Sequence, residues 1–83
     1  MDDQPQQVYK VRDLNEAAAI LCLGFDFHST EIDTNGRIYF LFPDSPELQN
    51  ATKAYWACSL QVTARYYSDA IKTLKNVIYR DRR

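Results

Sequence analysis

The sequence predicts an α+β domain, a small and largely antiparallel sheet with helices on one face, in the order β-α-β-β-α-α. Three observations predict it. Helix-opening residues stand at Asp13, Ser45 and Thr63, each ahead of a stretch with helical apolar spacing. Asn35-Gly36 sits between two strand-like runs, a strong short-range hairpin signal. The chain has 83 residues, which leaves room for one core and no second domain.

The elements follow in order. Val8-Tyr9-Lys10-Val11-Arg12 alternates apolar and charged residues, the period of a half-buried strand. Asp13 reads as an N-cap, with Glu16 three residues on to complete a capping box. Leu14, Ala17, Ala18 and Leu21 give the helical spacing, Ala17 to Leu23 carries no charge, and Gly24 fits a C-cap. A buried helix over 14–23 is expected. Phe25 to Ile32 and Arg37 to Phe42 form the hairpin, and the second run, apolar on both faces, is expected to be central. Pro43 stops the sheet, and Ser45-Pro46-Glu47 opens a helix over about 46–57 with Leu48, Ala51 and Tyr55 inward. Ser59 to Val62 is a short extended link. A last helix over 64–80 buries Tyr67, Ile71, Leu74 and Ile78, widened by Ala70 and Val77. Residues 1–7 read as a disordered polar tail, 8–80 as the domain and 81–83 as a basic C-terminal tail.

These features resemble a known family. Lys10-Val11-Arg12-Asp13-Leu14, the Ala-rich helix into Gly24-Phe25, Arg37 to Phe42, Ser45-Pro46-Glu47-Leu48, Ala54-Tyr55-Trp56 and Leu74-Lys75 carry the likeness. It is to an uncharacterised family of short bacterial and phage proteins classed as a domain of unknown function, and it covers roughly 9–79. The family's last helix often begins with Pro where Ala64 stands here. The resemblance implies a stand-alone bacterial or mobile-element protein and no particular activity.

Composition narrows the function classes. The acidic, polar start of the chain reads as no secretory signal, and no window approaches membrane-spanning length. Cys22 and Cys58 lie among apolar residues and read as reduced, buried thiols of a cytoplasmic protein. Net charge is −1 but polarised: residues 1–63 hold four basic and nine acidic side chains, and residues 64–83 six basic and two acidic.

Chemistry-bearing sets are sparse. The single histidine, His28, sits between Phe27 and Ser29, and Cys22 or Cys58 could meet it in space, though nothing marks either thiol as activated. Glu31 and Asp33 share a strand face with Asp26 opposite, an arrangement that more often protects an edge strand than holds a metal. No catalytic, metal or cofactor residues, no enzyme activity, no membrane and no small-molecule substrate are expected.

Two surfaces stand out. Trp56 lies about 100° of helical rotation from the buried face of its helix, so it either wraps onto the core edge or stands as an exposed anchor. With Tyr9 and Tyr39, and with Tyr66 beside them, it is the expected protein-binding surface. The leading expectation is a non-enzymatic module working by protein contact, as a homodimer or as an accessory or inhibitor protein of a phage or mobile element. The alternative is nucleic-acid binding by a basic ridge on the last helix: Arg65, Lys72, Lys75, Tyr79, Arg82 and Arg83, with Ser68 and Arg80 alongside. Positive charge near a helix C-terminus also complements the helix dipole, which accounts for Arg80, Arg82 and Arg83 but not Arg65.

Overall fold

The computed structural model describes residues 7–81. The elements run β1 (Val8–Val11), α1 (Leu14–Cys22), β2 (Ser29–Ile32), β3 (Ile38–Pro43), α2 (Pro46–Trp56) and α3 (Ala64–Asp81). The predicted α+β class and order hold. Strand order is β1-β3-β2 with both pairings antiparallel, so β3 is central as its two apolar faces imply.

Strand alternation decides what the sheet buries. Ile38, Phe40 and Phe42 face the helices and are buried, while Tyr39, Leu41 and Pro43 line the outer face. Register places Val11 and Thr30 beside Phe40, and Tyr9 beside Phe42, on the inner face. Ala17, Ala18 and Ile20 of α1, Leu48 of α2, and Ala70, Leu74 and Val77 of α3 complete one core. The alanines let α1 lie close between its neighbours. On the outer face Lys10 and Glu31 meet at 2.9 Å across β3, an exposed pair worth ~0–1 kcal/mol.

The hairpin begins later than the sequence suggests. Phe25 to His28 are not strand. Phe25 finishes the C-terminal turn of α1, where its N–H donates to the Ile20 carbonyl, and Phe27 packs edge-on against Phe40 and Phe42 at ring separations of 5.1 and 6.0 Å. Their apolar character serves the core without a ladder. At the turn, the Gly36 N–H donates to the Asp33 carbonyl, the Asp33 N–H donates to Arg37, and Gly36 has φ +81°. Asp33 Oδ1 also accepts from the backbone N–H groups of Asn35 and Arg37, so one carboxylate organises the whole reversal.

Asp13 caps α1, accepting from the N–H groups of Asn15 and Glu16. Ser45 caps α2 through the Leu48 N–H, with Pro46 at the first helical position. The Thr63 carbonyl accepts the first helical bond of α3, from Tyr67. Helix α3 runs through Asp81, one residue into the predicted tail. Residues 82–83, and the predicted polar tail over 1–6, lie outside the described residues.

Candidate functional site

The site forms where α2 ends and the chain crosses to α3. Helix α2 closes with Ala57 as C-cap. The Cys58 N–H then donates to the Tyr55 carbonyl and the Ser59 N–H to the Ala54 carbonyl, both within 3.0 Å. This is the Schellman pattern, and it requires a left-handed residue at Cys58, whose φ is +61°. The reversal aims Ser59 to Val62 across to α3 and leaves an open groove of about 570 Å³. Tyr55, Trp56, Cys58, Leu60, Val62 and Tyr67 line it. No charged side chain lines it.

Trp56 stands at this groove 60% exposed, with its ring edge-on to Tyr55 at 5.0 Å. It is therefore an exposed aromatic residue and not a wrap over the core edge. Beneath it lies the main electrostatic feature of the region. Glu16 is only 4% exposed, and its carboxylate accepts from the Tyr9 hydroxyl at 3.1 Å. The Trp56 indole N–H also favours the charged form. The predicted capping-box role of Glu16 is thus replaced by a bond to β1. Burial is the chief cause that raises its pKa, outweighing the help from Tyr9 and Trp56, and Asp13 adds to the rise.

The tyrosines of the groove are shifted too. Tyr55 and Tyr67 titrate above the ordinary phenol value, first through burial and then through the negative charge of Asp13. Both remain neutral hydroxyls at physiological pH, so the groove walls are apolar rings with polar tips. That is the chemistry of a contact surface for apolar side chains.

The predicted trio is split by the sheet. Tyr9 lies on the inner face and shares Glu16 with Trp56, whereas Tyr39 points to the outer face and donates to Asp33 Oδ2 at 3.2 Å. Tyr66 is exposed on α3, next to a shallow depression with Leu21 and Cys22. The buried reading of the cysteines fails for Cys58, which is exposed because a C-terminal left-handed residue turns its side chain away from the helix. Cys22 is half-buried, and burial raises its thiol pKa.

Arg65, Ser68, Lys72, Lys75 and Tyr79 are all exposed along one face of α3, with Tyr79 73% exposed. Arg80 is exposed at its end. Arg82 and Arg83 lie outside the described residues. His28 is exposed, its Nδ1 3.1 Å from the Ser29 hydroxyl. Glu31 is tied to Lys10 and Asp33 to the turn, where backbone bonds from Arg37 and Asn35 and the Tyr39 hydroxyl hold its pKa below the usual value. Among the described residues no group of three His, Cys, Asp or Glu side chains could hold a metal ion, and no helix is long and apolar enough to cross a membrane.

Sequence reasoning missed the groove itself. Leu60 and Val62 read as link residues, and Cys58 as core. A usable signal was present in the absence of glycine after α2 combined with apolar residues in a short link.

No curated protein and no solved structure matches the chain. The match to a family is extensive, running over residues 6–80 and so through every strand and helix but the last residue of α3. The chain belongs to the family described as a domain of unknown function, DUF5659.

Proposed function

We propose that this domain is a non-enzymatic binding module that works by protein contact through the groove between the end of α2 and the start of α3. One observation carries the reading: an uncharged groove of about 570 Å³ walled by Tyr55, Trp56, Leu60, Val62 and Tyr67, with the tryptophan more than half exposed. A large aromatic left in water at the rim of an apolar groove gains from being covered, and tryptophan is the residue most enriched at binding hot spots. A second copy is the first partner to test. The chain is polarised along its sequence, −5 over residues 1–63 and +4 over residues 64–83, and opposite charge on two copies would steer their approach. An accessory or inhibitor protein of a phage or mobile element would use the same surface on a larger partner.

The test is light scattering over a concentration series. The unmodified chain is expected to gain mass with concentration, and Trp56→Ala to remain a monomer with an unchanged far-ultraviolet spectrum. A chain that stays monomeric at every concentration would remove the second copy as the occupant.

A second reading has its own observation, the exposure of Arg65, Lys72, Lys75 and Tyr79 along one face of α3. That face suits a nucleic-acid backbone, with the tyrosine able to stack on a base. It predicts binding that weakens steeply with salt and is lost in K72E/K75E.

A further inference from the structure

At the end of the domain where the hairpin turn meets α3, three segments distant in sequence close around one depression of about 400 Å³. Arg12 follows β1, Asn35 and Arg37 belong to the turn, and Ile38, Phe40 and Ile78 of α3 supply an apolar floor. We propose that this depression is a binding site for a phosphate group attached to an apolar or aromatic body, with Arg12 and Arg37 as its two arms. It stands apart from the aromatic groove, and it does not rest on that reading.

The two guanidinium groups carry the inference. Both residues are exposed, and Asp33, four residues before Arg37, feels the Arg37 charge while its oxygens are hydrogen-bonded to other groups. Asp33 Oδ1 accepts from two backbone N–H groups and Oδ2 from the Tyr39 hydroxyl. The ion pair between Lys10 and Glu31 lies on the outer face of the sheet and takes neither arginine. Guanidinium presents planar paired donors that match phosphate oxygens, which an ammonium does not. Asn35 adds a neutral amide at the rim. The floor explains why the ligand is more than inorganic phosphate: half-buried Ile78 supplies an apolar base for a ring, with Ile38 and Phe40 buried behind it. The charge count along the chain conceals this site, because Arg12 and Arg37 belong to its acidic part and meet α3 only on folding.

A nucleic-acid backbone and a free nucleotide offer the same chemistry, so the probes separate them. Amide-resolved nuclear magnetic resonance on the full chain would follow titrations with inorganic phosphate, adenosine monophosphate and an eight-nucleotide thymidine strand. Saturable shifts are expected at Arg12, Asn35, Arg37 and Ile78, weak for inorganic phosphate and stronger for a probe with a base. R12Q/R37Q should bind at least on the order of tenfold more weakly, while K10Q/K53Q, with the same loss of charge, should bind as the unmodified chain does. Tighter binding of the strand names a backbone as the source; tighter binding of the mononucleotide names a free nucleotide. Absence of saturable shifts with all three probes would overturn the proposal, as would equal weakening in the two double variants. All four substituted side chains are exposed, and a far-ultraviolet spectrum confirms that each variant folds.

Discussion

Helices α1 and α2 end with the same backbone device and very different side chains. In α1 the left-handed position is Gly24, with φ +97°, and the flanking pair is Ile20 and Phe25. In α2 it is Cys58, with φ +61°, and the pair is Ala54 and Ser59. Ile20 is fully buried, so the first end is sealed by core packing with a residue suited to the turn. The second end puts a side chain where glycine costs least, has no large apolar partner across the turn, and opens onto the groove. One end stabilises the domain, and the other leaves a surface available.

That contrast can be broken at several points, beginning with the largest effect. Ile20→Ala is expected to cost about 3 kcal/mol in denaturant unfolding, since it removes a fully buried side chain that no polar group can replace. Gly24→Ala should cost about 1–2 kcal/mol from backbone strain alone, because a Cβ there would meet nothing within 4 Å. If Gly24→Ala were neutral, the two ends would not differ in the way described.

Titration sharpens the comparison at the groove. The raised pKa of Glu16 means its contribution to stability is fully present below the usual glutamate value and is lost as pH rises through the raised one. Unfolding free energy should therefore fall toward neutral pH across that window, by at most about 1.4 kcal/mol per pH unit for one proton. Glu16→Gln should remove this slope. Asp33 acts in the opposite sense and lower on the scale: its pKa is depressed, so its contribution holds above the usual aspartate value and is lost as pH falls through the lowered one. The two windows are separate, and chemical denaturation at a series of pH values resolves them.

Smaller effects belong to the second helix end. Cys58→Gly should stabilise the fold by about 0.5–1 kcal/mol, by placing glycine in the left-handed position. Trp56→Ala should abolish association while costing about 1–2 kcal/mol of folding stability, most of it the loss of the indole donor to the buried Glu16 carboxylate. A large loss of stability in this variant would make Trp56 a structural residue and end its role as an anchor.

Most of the fold was readable because local signals and tertiary packing agree. Asp13 and Ser45 cap the helices they precede, Gly24 ends α1, and Gly36 turns the hairpin. Errors arose where one residue type serves two purposes. Phe25 and Phe27 looked like strand, but an aromatic side chain can fill a core from an irregular segment. Glu16 fitted the spacing of a capping box, and that spacing says nothing of a tyrosine on another strand. Cys58 looked buried because its neighbours are apolar, whereas a helix reversal decides its direction. The angle of Trp56 on α2 left a wrap onto the core edge and an exposed anchor both open, and the groove beside it needed three segments in space, as did the meeting of Arg12 and Arg37.

The central claim is that the end of α2 is a contact surface. The most direct measurement is a dilution series followed by amide-resolved nuclear magnetic resonance on the unmodified chain. The account predicts concentration-dependent shifts at the Trp56 indole and at the Cys58, Leu60 and Val62 amides, with Gly24 and Ile20 unchanged. Signals at the groove that stay fixed while those of the α3 basic face move would contradict it.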